Sequence, residues 1–435
     1  MRAMWISAAL VCVIVLAACA ADEPAGPRAP QVARAVSTSV CSPLTYGGRG
    51  RPRFVVPLVA PLQSALSDHG IQNAQAIKLV MQQRGWRAGD RTVAIQVCDE
   101  ASADSFADVA KCKRNARTFA DNRSVIAVVG PTSSGCAAAM VPPLNGAEGG
   151  PVPLVGIGNT YLGLTRRGPG VDQGDPERLY PSGLRSYLRT VPADDAQAAA
   201  AVLVARRAGA RRTFTVHEDS AYGRGLASAF QQSARNVGGM TPAGSASWSP
   251  KAGGYSALAA RIRRRRADAV YVAGYAVNNG PRLIRDLRAG LGRDVLILGP
   301  DGFNQPTAIV EGAGELADGF TITLAAAPVR ALPVEGRLWA AEFDRRWGAR
   351  PCCYAVHAGQ AMQLVLDAIA ASDGTRAEVL RNLRRANVQG GLVGDFRFDG
   401  FGDTTLTTIS VYVIRDGRLR YLQTLDVPRT LLTRK

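Results

Sequence analysis

The sequence predicts an α/β protein with parallel sheets that are flanked by helices and divided between two lobes. Short apolar runs rich in β-branched residues alternate with stretches of helical length, which is typical of βαβ units. Two of these runs, 125–129 and 152–158, are apolar almost throughout, as expected for strands buried on both faces of a parallel sheet. The alternation ends and then restarts after Val191, which predicts two separate sheets.

The elements of the first half follow in order. The pattern predicts strands at 54–60, 92–97, 125–129, 152–158 and 187–191, and helices at 73–84 and 108–120. Pro57 has no N–H to donate, which argues against a regular central ladder at that residue. The stretch from Leu164 to Arg185 is rich in glycine, proline and charge, and we interpret it as a surface insertion, hereafter the 164–185 insertion.

The second half begins with a helix that Asp194 and Asp195 open. The pattern predicts helices at 194–208, 225–237, 255–265, 281–289 and 305–312, and strands at 212–217, 269–273, 295–298 and 319–323. The remaining chain predicts helices at 337–347, 355–371 and 378–386, and strands at 394–399, 407–414 and 418–424. Asp416 and Gly417 are typical of a type I′ turn, so the last two strands should form a hairpin.

Two strand ends carry small hydroxyl residues. Ser133 and Ser134 lie where the strand at 125–129 turns into a helix, and Thr160 closes the next strand. The first N–H groups of a helix have no intrahelical partner, and the helix dipole is positive there, so this position favours a carboxylate or phosphate. The two strand ends therefore predict one small anion site. The alternative is that Ser133 or Ser134 only caps its helix.

The N-terminus has the form of a secretion signal. Residues 1–18 combine one positive charge with an apolar run too short for a membrane span. The run ends in Leu16-Ala17-Ala18-Cys19, which resembles the bacterial lipobox and predicts a lipid on Cys19. The alternative is an ordinary cleavage site before a small residue. Residues 19–53 would form a flexible tether, because they are rich in Ala, Pro, Gly and Arg without a sustained period.

The strongly basic composition has a bland explanation. The formal net charge is +17, almost all of it from arginine. The densest run, 261–266, falls at a predicted helix C-terminus, where cations are favourable, so we interpret it as a solvated face. The chain lacks the aromatic interleaving of single-strand nucleic-acid binders, and we predict no nucleic-acid partner.

Six cysteines remain after the signal and the lipobox: Cys41, Cys98, Cys112, Cys136, Cys352 and Cys353. An even number in an exported protein suggests disulfides, although six cysteines allow many pairings. Metal binding is the alternative, but no C-x-x-C or H-x-x-x-H spacing occurs. We therefore predict no metal and no cofactor.

Several ordered blocks give the chain a resemblance to a known family. They are 128–134 (VVGPTSS), 188–194 (LRTVPAD), 219–225 (DSAYGRG), 273–275 (AGY), 298–302 (LGPDG) and 396–400 (FRFDG). Together they resemble the type 1 periplasmic binding fold, and more closely the leucine/isoleucine/valine-binding group of ABC-transporter substrate-binding lipoproteins. The resemblance covers about 54–424.

The resemblance implies two hinged lobes with the ligand in the cleft between them. The three crossings would lie near Val191, Leu324 and Thr405. Lobe 1 would comprise 54–190 and 325–404, lobe 2 would comprise 191–324 and 405–425, and 426–435 would be a tail.

The resemblance also implies ligand contacts of three kinds. The α-carboxylate of an amino acid would be bound by Ser133, Ser134 and Thr160, and the backbone of Gly158 would also contact the head group. Asp301 would bind the α-ammonium, and Tyr222 and Tyr275 would close over the ligand. Asp301 could instead cap a turn, and Tyr222 could instead pack on the following helix. His217 could face the cleft, although a plain strand-end histidine is the simpler reading.

A disulfide between Cys112 and Cys136 is also implied, with Cys98 as a competing partner for either. The chain departs from the family pattern at 156–160, at Asp99-Glu100 and in the length of the 164–185 insertion. These departures bear on the identity of the ligand more than on the fold.

The resemblance implies an extracytoplasmic, lipid-anchored protein that captures an amino-acid-like solute and delivers it to an ABC permease. Two alternatives keep the same fold: a ligand sensor for a signalling partner, and a binder of an amide or urea-type solute. We predict no enzyme activity, because the chain lacks G-x-S-x-G, H-E-x-x-H and P-loop motifs.

Overall fold

Two mainly parallel β-sheets form the framework of the computed structural model, which describes residues 32–103, 105–351 and 354–432. The predicted signal, the lipidation site Cys19, Cys352 and Cys353 lie outside the described residues. No helix in the described ranges is long and apolar enough to cross a membrane.

The first sheet has six strands in the order β2-β3-β1-β4-β5-β6. They are β1 (Phe54–Ala60), β2 (Arg87–Ala88), β3 (Arg91–Asp99), β4 (Val128–Val129), β5 (Leu154–Gly156) and β6 (Tyr187–Arg189). All neighbours pair in parallel except β2 with β3. Its central strands are fully buried, in agreement with their continuous apolar sequences.

The second sheet has seven strands in the order β15-β14-β11-β10-β9-β7-β8. Its parallel strands are β7 (Arg212–His217), β8 (Thr241–Ser247), β9 (Ala269–Ala273), β10 (Leu296–Gly299) and β11 (Thr321–Leu324). A separate pair, β12 (Asn387–Val388) and β13 (Phe396–Arg397), precedes the antiparallel hairpin of β14 (Thr408–Arg415) and β15 (Arg418–Asp426). The chain passes between the sheets after β6, after β11 and after β13.

Eleven α-helices in the described ranges cover the sheets. They are α1 (Ser67–Gln83), α2 (Val109–Asp121), α3 (Ser134–Asn145), α4 (Asp194–Arg207), α5 (Ala221–Val237), α6 (Ser256–Arg264), α7 (Gly280–Leu291), α8 (Pro306–Ala313), α9 (Val334–Trp347), α10 (Ala355–Ala370) and α11 (Arg376–Arg384). Each sheet has apolar clusters on both faces, so helices bury it from two sides. The predicted α/β class with parallel sheets and flanking helices is confirmed.

Local signals set several element boundaries. The Ser220 hydroxyl caps α5 by accepting from the Gly223 N–H at 3.0 Å, and Thr375 caps α11 in the same way. Asp416 and Gly417 both have positive φ, 51° and 65°, so the predicted type I′ hairpin turn is confirmed.

Two local predictions need correction. β1 is a central strand that runs through Pro57 without a break. The backbone of Val55 bonds toward the β4 side, so two residues later the missing N–H of Pro57 also faces that side, where the β1–β4 pairing is short and irregular. The edge strand β8 was not predicted, because its sequence TPAGSAS holds few β-branched residues.

The flexible tether predicted up to residue 53 is wrong for its described part, 32–53. Cys41 forms a disulfide with Cys98 on β3, and Thr45 bridges to Ile95 on the same strand. Val36 is buried and bonds to the Gln96 side chain. Pairing with β3 and a covalent bond therefore order this segment, and composition alone does not show either interaction.

Candidate functional site

The two sheets meet at a small cavity of about 40 Å³. Because parallel strands present their carboxyl ends at one edge, residues just beyond β4, β5, β9 and β10 come together there. The lining residues are Pro61, Leu66, His69, Phe106, Thr132, Gly158, Tyr222, Tyr275, Asp301, Gly302, Asn304, Gln305, Leu324 and Tyr354. Four of the seven residues predicted for the ligand site are among them, namely Gly158, Tyr222, Tyr275 and Asp301.

Asp301 is the acidic group in the cavity wall. It follows β10 and Pro300, and its carboxylate accepts hydrogen bonds from the Tyr222 hydroxyl at 2.5 Å and from the Tyr354 hydroxyl. Burial raises the pKa of Asp301, although both tyrosine hydroxyls act in the opposite direction. Tyr354 directly precedes α10, and α10 packs on the first sheet. The Asp301 carboxylate therefore contacts side chains from both sheets.

Aromatic rings surround this carboxylate. Tyr222 lies in the first turn of α5 and stacks on Tyr275 with ring centroids 4.7 Å apart. The Phe106 ring also packs against Tyr275, with ring centroids 4.9 Å apart. The buried Glu218 carboxylate accepts from the Tyr275 N–H and from the Ser220 hydroxyl, so it fixes both tyrosine-bearing turns. An acid within aromatic walls suits a cationic group on a ligand.

The strand-to-helix turn after β4 has the predicted form. Gly130 has φ 93°, and a Cβ there would lie 2.2 Å from the Val59 carbonyl oxygen, so only glycine fits. The Ser133 hydroxyl caps α3 by accepting from the Cys136 N–H at 3.5 Å, and the Ser134 hydroxyl accepts from the Tyr161 N–H at 3.2 Å. Both serines are buried, and it is Thr132 that lines the cavity.

Glu100 already occupies part of this turn. Its fully buried carboxylate accepts from the Thr132 N–H at 2.8 Å and from the Ser133 N–H at 3.0 Å. Two of the backbone donors available for an external anion are therefore already bound to an internal carboxyl group. Burial raises the pKa of Glu100 to about 8, against the opposing effect of these hydrogen bonds.

This shift predicts a pH-dependent stability. The folded protein keeps a proton on Glu100 that the unfolded chain releases above its ordinary pKa of 4.5, so the free energy of unfolding should fall as the pH rises from about 4.5 to about 8. The slope from this one group approaches about 1.4 kcal/mol per pH unit. Denaturant unfolding of the wild type and Glu100→Gln across this range measures it. Equal slopes in the two proteins would contradict the assignment.

The strand end after β5 brings backbone close to the cavity. A Cβ on Gly158 would lie 2.9 Å from the Thr132 Cγ2 atom and 3.1 Å from the Tyr354 ring, so a larger residue would close the space. Thr160 is buried beside Asp194, and it lies behind the lining residues rather than among them. Asn159 bonds to the Ser133 carbonyl at 2.9 Å, which ties this strand end to the turn after β4.

Asp194 is a site candidate that the sequence analysis assigned only to the start of a helix. It is the first residue of α4, is 1% exposed, and has no well-aligned hydrogen bond to either carboxylate oxygen within the described part of the chain. Burial raises its pKa well above the usual range, with the neighbouring Thr160 hydroxyl opposing and the Asp301 charge reinforcing the rise. An acid after a crossing between sheets was the available signal.

One of the two disulfides in the described ranges has the pairing that the family resemblance implies. Cys112 joins Cys136, which links α2 to α3 beside the Glu100 carboxylate. Cys98 joins Cys41 and is therefore not a partner of either. Glu100, Cys112 and Cys136 are close enough to hold a metal, and they form the single such group in the described ranges. Both sulfurs are consumed by the disulfide, so the group does not suit a metal.

Neither His217 nor the arginine run at 261–266 lines the cavity. His217 ends β7, with Nδ1 3.1 Å from the Glu218 carbonyl oxygen, and it is not among the cavity-lining residues. Arg261 and Arg263–Arg266 are exposed at the C-terminal end of α6.

Comparison with known proteins agrees with this architecture. The family model described as periplasmic binding protein matches residues 54–418. The Leu/Ile/Val-binding protein BraC3 of Rhizobium johnstonii is 28% identical over 277 residues, which are 62% of this chain and 67% of that protein. The leucine-binding protein LivK of Thermotoga maritima has a TM-score of 0.70 at 20% identity, with 86% of this chain and 99% of that one covered. An ABC-transporter solute-binding protein of Rhodopseudomonas palustris HaA2, in complex with p-hydroxybenzoic acid, has a TM-score of 0.70 at 18% identity, with 87% and 98% covered.

The family match and the fold therefore place the chain in a class of substrate-binding proteins. The chain belongs to the periplasmic binding protein family, which is extracytoplasmic, as a type 1 member similar to the branched-chain amino acid group. The predicted family is confirmed.

Proposed function

We propose that this protein captures a small zwitterion, an amino acid or a close analogue, in the cavity between the sheets. The observation that carries this proposal is the Asp301 carboxylate in a cavity wall to which no lysine or arginine among the described residues contributes. A buried acid without a cation favours a ligand that supplies an ammonium group. Tyr222 and Tyr354 hold the carboxylate in position.

The ligand's carboxylate would bind at the turn after β4 and the strand end after β5. Ser133 caps α3 and Ser134 begins it, where the helix dipole favours an anion. The Asn159 side chain bonds to the Ser133 carbonyl and the Tyr161 N–H to the Ser134 hydroxyl, so the strand end that carries Gly158 and Thr160 is held beside this turn. Since Glu100 holds the Thr132 and Ser133 amides, we assign the remaining amides at Ser134 and Thr160 to the ligand. The Ser133 hydroxyl would keep its role as a helix cap.

Asp194 would be the second acid near the ammonium end. Burial raises the pKa of Asp194 and the nearby Asp301 charge raises it further, and neither carboxylate oxygen has an aligned donor in the described structure. A cationic head group would supply the missing donors and favour the ionised form of at least one acid. This arrangement gives ligands without an amine no equivalent partner.

We propose that ligand binding closes two lobes. Lobe 1 would comprise 54–190 and 325–404, and lobe 2 would comprise 191–324 and 405–425, with crossings near Val191, Leu324 and Thr405. Anion contacts come from lobe 1 and the acid Asp301 from lobe 2, so only a closed form satisfies both ends of a zwitterion. The ligand then stabilises the state that it binds better.

Aromatic acids are the second candidate. A solute-binding protein of similar fold from Rhodopseudomonas palustris binds p-hydroxybenzoic acid, and Phe106, Tyr222 and Tyr275 give this cavity aromatic walls. An aromatic carboxylate would, however, meet Asp301 without a compensating cation, which is unfavourable at short range. The charges of the cavity therefore favour the amino acid.

We propose that the protein delivers this ligand to an ABC permease, a role that membership of the periplasmic binding protein family supports. Lipid attachment at Cys19 and the tether that follows it would hold the protein at the outer face of the cell membrane. A sensor that presents the same ligand-bound lobes to a signalling partner is the alternative role.

A thermal-shift screen tests the ligand class. The panel contains the common L-amino acids, urea, simple amides, benzoate and p-hydroxybenzoate. A ligand at one hundred times its dissociation constant should add about 2.7 kcal/mol to the free energy of unfolding, which raises the melting temperature visibly. We expect at least one amino acid to do so and neither aromatic acid. A shift with an aromatic acid alone would overturn the zwitterion proposal.

A further inference from the structure

The 164–185 insertion is anchored to the first-sheet side of the molecule. The Tyr180 hydroxyl donates to the Leu164 carbonyl at 2.6 Å, which joins the two ends of the insertion. The Asp172 N–H donates to the Tyr161 hydroxyl at 2.7 Å, and Asp175 pairs with Arg178. The insertion contains no α-helix or strand, and these side-chain bonds act together with short backbone turns, such as the one at Glu177–Leu179, to hold its shape.

The outer part of the insertion lies against α5, which belongs to the second sheet. The Asp172 Oδ1 atom is 2.9 Å from the Arg224 Nη2 atom. Gly170 has φ 71°, and a Cβ there would lie 2.7 Å from the Ser228 side chain and 2.8 Å from the Arg224 carbonyl oxygen. On the same face of α5, a Cβ on Gly225 would be 3.1 Å from the Tyr161 ring. Glycines on both sides allow this close approach.

The same helix carries a cavity residue. Tyr222 lies two residues before Arg224 and donates its hydroxyl to Asp301. A contact that holds the first turn of α5 against the first-sheet side therefore also holds Tyr222 over the cavity. Arg166, near the start of the insertion, adds a second link between the sides through Asp195 at 3.5 Å, whereas its contact with Asp403 at 2.6 Å stays on the first-sheet side.

We propose that the 164–185 insertion is an interlobe clasp, and that Asp172 and Arg224 are positioning residues that favour the closed form without touching the ligand. This inference rests on the proposed closure of two lobes around a solute. The clasp contacts join opposite lobes, so they exist only in the closed form and raise its population. Apparent affinity rises with the fraction of molecules that can bind, so the clasp tightens binding.

The size of the effect follows from exposure. The Asp172 and Arg224 side chains are 33% and 38% exposed, so solvent and salt screen the pair. Charge reversal at one position replaces attraction by repulsion. We expect Asp172→Arg to weaken the binding of L-leucine about fivefold, with a smaller difference at high salt.

The test compares Asp172→Arg, Arg224→Asp and the double charge swap with the wild type. L-leucine affinity is measured by calorimetry, and hydrogen exchange of 166–176 and 221–230 is measured without ligand. Each single variant should bind more weakly and exchange faster in both segments, and the double swap should return both quantities to within about twofold of the wild type. Asp219→Asn controls for the second ion pair of Arg224, and Glu177→Gln breaks the Arg167 pair that stays within the insertion.

The outcomes separate the clasp from the proposed ligand class. If L-leucine binds no protein of the series, the ligand assignment loses support, and the exchange measurement alone decides the clasp. Unchanged exchange and unchanged affinity in both single variants would overturn the clasp. The clasp would also be overturned if the double swap bound L-leucine no more tightly than the weaker-binding single variant, because the two side chains would then not act as a pair.

Discussion

Asp301→Asn should weaken amino-acid binding at least about thirtyfold while the protein still folds. The substitution keeps the size of the side chain but removes the negative charge that would meet the ligand's ammonium and turns one of the two acceptor oxygens into a donor. Removing one partner of a buried, hydrogen-bonded charge pair costs about 2–5 kcal/mol, which corresponds to at least a factor of about thirty. Calorimetry with the amino acid that gives the largest thermal shift measures the change.

The matched control is Asp294→Asn. Asp294 is exposed and precedes β10, whereas Asp301 follows the same strand at its cavity end. The control should bind like the wild type. Without ligand, Asp301→Asn should melt close to the wild type, because the change also removes the cost of burying a charge. Unaltered affinity in Asp301→Asn would remove Asp301 from the binding site.

The fold was accessible to sequence reasoning because its signals are local. The apolar run of β4 ends at Gly130, whose φ of 93° favours glycine, and the start of α3 follows within a few residues. Asp416-Gly417 encodes its own turn through two positive φ angles. The residue after Gly299-Pro300 reaches the cavity because β10 ends there. Such features need no knowledge of distant parts of the chain.

The occupied anion site could not be predicted in the same way. The free amides after β4 predict an anion, and that inference is physically sound. The structure places the internal carboxylate of Glu100 on two of them, from a residue 33 positions before Ser133. Only the tertiary fold determines which group binds these amides. In the sequence, Glu100 stands out only as a departure from the family pattern, with no sign of this role.

Long sequence separation also hid Tyr354 and Asp194. Tyr354 donates to Asp301 across 53 residues, and its helix has no local signal for a cavity residue. Asp194 fits the ordinary preference for acids in the first turn of a helix, so its burial could not be seen. The packing of residues 32–53 on β3 depends on a disulfide across 57 residues. These misses share one cause, since pairwise contacts leave no periodic trace in sequence.

Arg189→Met should destabilise the protein by about 3–5 kcal/mol, the largest stability effect that we expect from one substitution. Arg189 is fully buried on β6, and its guanidinium donates to Asp403 at 2.7 Å, to Thr165 at 2.6 Å and to the carbonyls of Asn159 and Tyr161. Its loss would leave the buried Asp403 without its main partner, which is far more costly than losing a surface pair. Urea unfolding monitored by fluorescence measures the change.

The cause of the loss can be separated from loss of packing. Arg123→Met breaks a surface pair in which Arg123 and Glu148 are 67% and 90% exposed, so it should cost less than about 1 kcal/mol. Adding Asp403→Asn to Arg189→Met should recover part of the stability, because the second change removes a buried charge that Arg166 alone compensates incompletely. Low pH should act in the same direction. Burial alone would raise the pKa of Asp403, and in the wild type Arg189 and Arg166 more than offset this and hold the pKa below its usual value.

Without Arg189 the pKa of Asp403 should rise, so the difference in unfolding free energy between the wild type and the variant should shrink as the pH falls and the acid takes up a proton. A loss that is the same at every pH, and that Asp403→Asn does not relieve, would show that Arg189 acts through its backbone-carbonyl contacts instead. Those contacts hold the strand end with Gly158 and Thr160, so that result would move the effect from the buried charge pair to the ligand site itself.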